Sequence, residues 1–375
     1  MIIAVSLVNS STITPKRILL IGGGTGGHIF PLRNLIDELV KNGAEVELIV
    51  SDSDLDKKII AENFTDLPVH FFQAGKIRRY LSWKNLTDPF VIMKSCWMAL
   101  QLLKEINPDV IFFKGGFVGF PFLVAAKALF GFKGKIYSHE SDISAGILTK
   151  LASKFSIQTF QSFGTTPMPL FYSPKIENRL STLSSRPKGK LKIENSPTPP
   201  FPQNTGSLST KGNKILVFGG SQGAGFLNDM TKKCHDKLLQ KHVITLVTGV
   251  GKKTDLCHDN LAEYEFLPTA ELAQKIYESD LVIARGGANS LFEIIAARVP
   301  SIIIPLPSVA RNHQFLNAVY FEEKNLCRVL EEKHTTSETF LSTIEETMND
   351  ESLKKSLAES QIKNSASKIA HILTL

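Results

Sequence analysis

The sequence has 375 residues, 43% hydrophobic and 21% charged, which is the composition of a soluble globular protein long enough for about two domains. Its net charge of +7 is mild and favours anionic partners without indicating a nucleic-acid-binding protein. The four cysteines form no Cys-x-x-Cys pair, which argues against a zinc site and a disulfide framework, and no uncharged apolar run is long enough to span a membrane.

A strand, a glycine loop and a helix are predicted near the start of the chain. The apolar run at 18–21 is typical of a buried parallel strand, five glycines and a threonine fill positions 22–27, and Pro31 suits the first turn of a helix. This arrangement lets backbone N–H groups and a helix N-terminus face an anion. His28, where the loop meets the helix, could take a proton near neutral pH beside a bound phosphate or sugar. A helix-start role is the alternative interpretation of His28.

The same loop also matches the dinucleotide-binding fingerprint. Gly22, Gly24 and Gly27 have its Gly-x-Gly-x-x-Gly spacing, and Asp52 and Asp54 follow the next predicted strand, near the place expected of a ribose-binding carboxylate. A nicotinamide-dependent dehydrogenase is therefore one alternative. It leaves the second glycine loop of the chain unexplained, because one such cofactor needs only one loop.

Strand and helix patterns alternate along the first half. Apolar runs predict strands at 46–50, 69–72, 110–113 and 135–137, with helices near 55–61, 88–106, 120–130 and 145–154. This alternation predicts an α/β protein with a doubly wound parallel sheet, whose ligands collect at the carboxyl ends of the strands. Segments 114–116 and 139–142 each follow a predicted strand, so we expect both on the same rim as His28.

A composition break separates two halves. Residues 186–212 are rich in Pro, Ser, Lys and Asn, which predicts a linker or mobile insert. The pattern then restarts with a strand at 215–218, a glycine loop at 219–224 and a helix, and further strands are predicted at 244–247, 265–267, 281–284 and 301–304. We predict two Rossmann-like domains, 1–185 and 213–375, that face a shared cleft, with the option that the last helix packs back on the first domain.

Two polar clusters in the second half suit a nucleotide-sugar. Small residues at 286–290, after Arg285, open a predicted helix, where exposed N–H groups favour phosphate. Glu293, one turn into that helix, could accept hydrogen bonds from both ribose hydroxyls, or could simply be a favourable charge near a helix start. Gln314 and Asn317 share a face of the next helix, where amides read sugar hydroxyls or serve as caps and solvated groups.

Together these pieces resemble the MurG family of peptidoglycan glycosyltransferases, of the GT-B class. Nearly the whole chain outside 186–212 takes part, and five segments keep the family's order and spacing: GGTGGHIFP at 23–31, HE at 139–140, GGSQGA at 219–224, RGGANSLFE at 285–293 and HQFLNA at 313–318. The resemblance implies inverting transfer of N-acetylglucosamine from UDP-N-acetylglucosamine to the muramyl sugar of undecaprenyl-pyrophosphoryl-MurNAc-pentapeptide (lipid I), giving lipid II.

The resemblance also implies roles for single positions. His28 is the implied base for the acceptor hydroxyl, and Glu140 matches an acidic, candidate catalytic position whose role stays open. The implied substrate contacts are the diphosphate and sugar cleft at Thr25, Gly26 and Gly27, a phosphate at Ser221, uracil at the backbone of Leu267, the diphosphate at Ala288, Asn289, Ser290, Leu291 and Phe292, ribose at Glu293 and N-acetylglucosamine at Gln314.

Three positions depart from the family pattern. Asp142 replaces a sugar-contacting amide, His313 stands where the family often has glutamine, and the GNPVR segment appears as YSPKIENR, with Lys175 or Arg179 as its substrate-binding basic residue. These departures keep two alternatives open. One is a related GT-B glycolipid transferase that uses another sugar. The other is a non-catalytic protein that binds a nucleotide-sugar or a lipid carrier.

The lipid-linked acceptor implies contact with an anionic membrane surface. Residues 75–84 interleave basic and large apolar side chains, and Phe90, Val91, Ile92 and Lys94 follow them. This composition suits lipid headgroups, although a buried helix edge is the alternative. We therefore expect a peripheral protein at the cytoplasmic face of the cell membrane. We expect no cofactor, because glycine loops and helix N-termini can stabilise a leaving diphosphate. We also expect no metal, and predict that the Asp-x-Asp at 52–54 caps a helix.

Overall fold

The computed structural model describes residues 14–74, 88–129, 131–173, 212–220, 223–307 and 312–375. These residues form two six-stranded parallel sheets. The strands of the first sheet are β1 (Arg17–Ile21), β2 (Glu45–Ser51), β3 (Val69–Phe72), β4 (Val110–Phe113), β5 (Lys135–Glu140) and β6 (Gln158–Gln161). Those of the second are β7 (Asn213–Phe218), β8 (His242–Val247), β9 (Leu261–Tyr264), β10 (Leu281–Ala284), β11 (Ser301–Ile303) and β12 (Arg328–Val329).

Helices flank both sheets. In the first half they are α1 (Gly26–Lys41), α2 (Asp54–Asn63), α3 (Asp88–Ile106), α4 (Gly119–Val124), continued by a π-helical turn at Ala125–Leu129, and α5 (Ile147–Ala152). In the second half they are α6 (Gly225–Lys233), α7 (His235–Lys241), α8 (Thr269–Glu278), α9 (Ala288–Ala296), α10 (His313–Glu322), a 3₁₀ turn at Glu332–His334, α11 (Ser337–Asn349), α12 (Glu351–Glu359) and α13 (Ala366–Thr374). Among the described residues, no helix is both long and apolar enough to cross a bilayer.

Both sheets have the doubly wound strand order. The first runs β3-β2-β1-β4-β5-β6, and the second repeats this order as β9-β8-β7-β10-β11-β12. In β1 the side chains alternate between two apolar cores, Ile18 and Leu20 on one face and Leu19 and Ile21 on the other. The predicted doubly wound fold is therefore confirmed. The crevice of each sheet opens where the order reverses, at the ends of β1 and β4 and of β7 and β10.

The strand predictions failed at the sheet edges. The predicted strand at 265–267 is wrong, because the chain pairs with β8 earlier, over Leu261–Tyr264. The strand predicted at 135–137 runs on to Glu140, since residues 137–140 pair with β6, an edge strand that was not predicted. The short edge strand β12 was not predicted either. The other predicted strands lie within two residues of the observed ones.

The last helix belongs to the core of the first half. Ile369, Ala370 and Leu373 of α13 are fully buried in the same apolar cluster as Leu32 and Leu35 of α1. The chain thus returns from the second sheet to the first. The two halves are therefore connected by the chain in the middle of the sequence and by the packing of α13 at its end.

An aromatic cluster joins the two halves beside the crevice. Phe163 and Phe171 follow the first sheet, yet both pack on Phe292 of α9, with ring centroids 5.1 and 5.9 Å away. Phe321 of α10 completes the cluster, 5.1 Å from Phe292. Because these rings are buried, the start of α9 is held at a fixed place relative to the first sheet.

Replacing Ile369 by alanine should destabilise the protein by about 2–5 kcal/mol, because the substitution leaves a cavity between α13 and α1. The measurement is urea unfolding followed by circular dichroism. The matched control is Lys368→Ala on the exposed face of α13, which should change stability by less than about 0.5 kcal/mol. Equal effects of the two substitutions would contradict the packing of α13 in this core.

Candidate active site

The first glycine loop follows β1 and is held by a buried aspartate. One carboxylate oxygen of Asp56 accepts hydrogen bonds from the Gly24 N–H at 2.8 Å and from the N–H and hydroxyl of Ser51 at 3.1 and 2.6 Å. A Cβ on Gly23, whose φ is +135°, would stand 2.8 Å from that oxygen. Asp56 therefore fixes the shape of the loop through these hydrogen bonds, and only glycine fits at position 23.

Sequence reasoning missed Asp56, although a signal was present. The Asp-x-Asp pattern singled out Asp52 and Asp54, whereas the carboxylate that holds the glycine loop belongs to Asp56, two residues after Asp54. The helix-cap interpretation of that pattern is confirmed, since Ser53 is the N-cap of α2 and its hydroxyl accepts from the Asp56 N–H. Asp52 pairs with Lys57 at 2.5 Å.

His28 lies in the first turn of α1, against the end of β4. A Cβ on Gly115 would stand 3.1 Å from the imidazole ring. Its Nδ1 is buried and has no partner among the described residues. Burial first, and the Lys114 ammonium second, lower the pKa of His28 to about 4, against the opposing carboxylates of Glu140 and Asp56. The imidazole is therefore neutral at pH 7, which is the form that accepts a proton.

Glu140, at the end of β5, organises the loop that follows it. Its two carboxylate oxygens accept from the backbone N–H groups of Asp142 at 3.1 Å and Gly146 at 2.8 Å. A catalytic role for Glu140 stays a prediction, and these contacts give it a part in shaping the loop. Lys114 is buried beside this loop, with its Nζ hydrogen-bonded to the Ser141 hydroxyl.

Asn317 of α10 connects this loop to the second half, a role that the sequence did not reveal. Its amide N–H group donates to Asp142 Oδ1 at 2.9 Å and to the Gly286 carbonyl at 3.2 Å, and its oxygen accepts from the Ile143 N–H at 2.9 Å. Asn317 is fully buried. Asp142 is thus partnered across the crevice in this structure. The sequence predicted for Asn317 either a contact with sugar hydroxyls or the role of a cap or solvated group. It could not reveal the link to Ile143 and Asp142, because these partners are 174 and 175 residues away.

The N-terminus of α9 meets the first glycine loop directly. Asn289 Nδ2 donates to the Gly27 carbonyl at 2.7 Å, one residue before His28. The side chains of Ala288, Leu291 and Phe292 are buried in the apolar core, so these positions offer a ligand only backbone groups. Ser290 and Asn289 keep partly exposed side chains. The predicted diphosphate site at 288–292 therefore lies next to the predicted base.

The remaining second-half residues surround α9. Glu293 is partly exposed, and burial raises its pKa to about 8, with a backbone hydrogen bond from Tyr172 opposing that rise. Gln314 Oε1 accepts from the Leu306 N–H at 3.0 Å, and among the described residues no acceptor pairs with its amide N–H groups, which can therefore serve a ligand. Leu267 is buried just beyond the end of β9, so its position can offer backbone groups.

Thr25, Gly26 and Gly27 lie at the end of the first loop and the start of α1, with Thr25 and Gly27 exposed. Three predicted contacts, Ser221, Lys175 and Arg179, fall outside the described residues. The structure thus brings together His28, Gly27, Glu140 and Asp142 from the first half with Asn289 from the second.

Glu293→Gln should reduce the loss of stability that the protein suffers as the pH rises from about 4.5 to 8. The pKa of Glu293 is raised on folding, so the folded state holds the proton more tightly than the unfolded state, and folding becomes less favourable as the pH passes through this window. Urea unfolding at pH 5 and pH 8.5 measures the difference, expected to be about 1–3 kcal/mol in favour of the variant at the higher pH. An equal pH dependence in the two proteins would contradict a raised pKa of Glu293 in the folded state.

The sequence and the fold of this chain are similar to those of known glycosyltransferases. Residues 18–161 match the glycosyltransferase family 28 N-terminal domain, and residues 214–373 match the glycosyltransferase family 28 C-terminal domain. The crystal structure of Acinetobacter baumannii MurG aligns with this chain with a TM-score of 0.68 and 20% sequence identity. The alignment covers 96% of this chain and 99% of the MurG chain. At that identity the likeness indicates a shared fold.

Two curated relatives carry the name UDP-N-acetylglucosamine–N-acetylmuramyl-(pentapeptide) pyrophosphoryl-undecaprenol N-acetylglucosamine transferase. The one from Clostridium perfringens is 33% identical over 363 residues, which are 95% of this chain and 97% of the relative. The one from Lachnoclostridium phytofermentans is 35% identical over 336 residues, 88% of this chain and 90% of the relative. The chain therefore belongs to glycosyltransferase family 28 and, within it, to the MurG family of N-acetylglucosamine transferases that these relatives represent.

Proposed function

We propose that the chain transfers N-acetylglucosamine from UDP-N-acetylglucosamine to the muramyl sugar of undecaprenyl-linked lipid I, giving lipid II with inversion at the transferred carbon. One observation carries the proposal. The neutral imidazole of His28 stands on the rim of the first sheet, one residue from the point where Gly27 contacts Asn289 at the start of α9. A proton acceptor and an anion-binding helix end thus meet in one crevice, and the names of the relatives supply the two substrates.

The second half would hold the donor. The free N–H groups at the start of α9 suit the diphosphate, because a helix N-terminus concentrates unpaired donors and positive potential. Glu293, kept largely protonated at neutral pH, would both donate to and accept from the ribose hydroxyls. The donor contacts proposed beyond these are a phosphate at Ser221, uracil at the backbone of Leu267, and N-acetylglucosamine at the free amide N–H groups of Gln314.

The first half would hold the acceptor. The muramyl hydroxyl would lie against His28, lined by Thr25, Gly26 and Gly27. From the same half, Asp142, with Lys175 or Arg179, would add sugar or phosphate contacts to the donor. Such a role requires Asp142 to exchange its bond with Asn317 for one with the substrate. Glu140 would act by holding the loop that carries Asp142.

The chemistry is a single displacement. His28 takes the proton of the attacking hydroxyl as its oxygen forms a bond to the anomeric carbon from the face opposite UDP. The bond from that carbon to the UDP oxygen breaks, and its electron pair leaves with UDP. The negative charge that develops on the diphosphate is met by the preorganised N–H groups at the start of α9.

His28→Ala should lower transfer to a lipid I analogue by about 10²–10⁴-fold, because general base catalysis contributes that much. UDP binding should be unchanged, since the donor site lies in the other half. The assay follows labelled N-acetylglucosamine into the lipid product, and calorimetry measures UDP affinity. The control is His371→Ala, an exposed histidine on α13. UDP binding without turnover in the unmodified protein would instead indicate a binding protein.

A sugar panel tests the nearest alternative. If the chain is a related glycolipid transferase, UDP-glucose or another UDP-sugar will be turned over faster than UDP-N-acetylglucosamine. The motivating observation is Asp142, a carboxylate where the family pattern has a sugar-contacting amide. The same panel with Asp142→Asn shows whether this position sets the preference.

We further propose that the chain binds the cytoplasmic face of the cell membrane peripherally, through α3. Phe90, Met93 and Trp97 share one face of this helix and are 69%, 64% and 60% exposed. Three large apolar side chains exposed together on one face of a helix are unusual for a surface in contact with solvent alone. Lys94 beside them would pair with anionic headgroups. The basic and apolar segment at 75–84 lies outside the described residues.

Replacing Phe90, Met93 and Trp97 together by serine should reduce binding to vesicles that contain anionic phospholipid by at least about tenfold, because the apolar area that enters the lipid is lost. Co-sedimentation with the vesicles measures the binding. The control is Val250→Ser, which removes an apolar side chain that is 73% exposed in the second half. Equal vesicle binding by both variants would contradict the proposal that α3 is the membrane face.

A further inference from the structure

Lys114 is a buried lysine that the proposed reaction does not use. Only 1% of its surface is exposed, although it lies at the end of β4 on the ligand rim. Its Nζ hydrogen-bonds the Ser141 hydroxyl. Taking an ammonium ion out of water costs several kcal/mol, so its burial requires compensation. Burial lowers the pKa of Lys114 to about 8, and the carboxylates of Glu140 and Asp142 compensate in part, since both favour its charged form.

Charge balance alone does not explain the position of Lys114. The next residue, Gly115, packs so closely against the ring of His28 that a Cβ there would stand 3.1 Å from it. Gly116, with φ +81°, lies so close to the Gly23 carbonyl that a Cβ there would clash with it. The segment 114–116 is thus wedged between the first glycine loop and His28, with the lysine side chain buried behind.

We propose that Lys114 is a positioning residue: the segment that it begins holds the ring of His28 in place, and its buried ammonium ion, anchored on Ser141, acts together with burial to keep that ring in its neutral, proton-accepting form. The inference rests on the proposed role of His28 as the base. The charged groups that act on the ring come from three elements: Lys114 after β4, Glu140 at the end of β5 and Asp56 in α2. Lys114 is the one cation among them, so it adds to burial in opposing the two carboxylates, which favour the protonated, inactive ring.

The sign of the effect follows from this arrangement. Without the ammonium ion, burial of the ring alone opposes Glu140 and Asp56, and the pKa of His28 rises from about 4. The acidic limb of the pH profile of kcat/KM, which reports the base of the free enzyme, moves upward with it. A lysine that served only to balance charge and support the loop would lower activity equally at every pH.

The test is Lys114→Met, which keeps the length and removes the charge. Nuclear magnetic resonance titration of the His28 ring, assigned with a His28→Gln variant, should show a midpoint raised by roughly one pH unit. The ratio of kcat/KM at pH 5 to that at pH 7.5 should fall about twofold if the midpoint reaches pH 5. Lys150→Met, an exposed lysine on α5 of the same half, should change neither quantity.

Ser141→Ala provides a second variant if Lys114→Met does not fold. It keeps the ammonium ion but removes its anchor, and should raise the His28 midpoint by a smaller amount. An unchanged midpoint in the folded variants would overturn the proposal. The ring titration needs no substrate, so a protein inactive toward UDP-N-acetylglucosamine and lipid I would contradict the proposed function while still deciding whether Lys114 controls His28.

Discussion

The close approach of two backbone turns at the ends of β1 and β4 is the constraint on which the site depends. Gly23 and Gly24 have positive φ, and so do Gly115 and Gly116 on the neighbouring strand. A Cβ at Gly116 would clash with the Gly23 carbonyl. Because no side chain separates the turns, His28 reaches the end of β4 from the first turn of α1.

That contact also explains why charged groups are buried here. The glycine turns leave backbone N–H groups that need acceptors, and Asp56 supplies one from below the first loop. On the other side of the site, Glu140 accepts a hydrogen bond from the backbone of the loop after β5. The buried carboxylate of Asp56 and the partly buried carboxylate of Glu140 favour protonation of His28, whereas burial of the ring and the Lys114 ammonium oppose it. The pKa of His28 is therefore set by burial together with charged groups from three separate elements.

The two halves are joined by contacts of different character. Buried rings around Phe292, together with α13, hold the halves at one side of the crevice through apolar packing. At the crevice itself the links are hydrogen bonds, from Asn289 to Gly27 and from Asn317 to Asp142. A polar substrate can exchange bonds with such groups at little net cost, whereas the apolar contacts offer it nothing. The crevice is thus the part of the interface that a ligand can enter.

The sequence by itself determined the fold class, the two glycine loops and the central strands, because apolar runs and glycine spacing are local signals with one physical meaning. It also singled out His28 and Glu293, since an ionisable side chain at a glycine loop or a helix start is visible in a short window. Only the tertiary structure decided the edge strands β6 and β12, which are short and set by pairing with a neighbour. It alone revealed Asp56, Asn317 and the burial of Lys114, because their partners come from other elements and their chemistry depends on the water that folding removes.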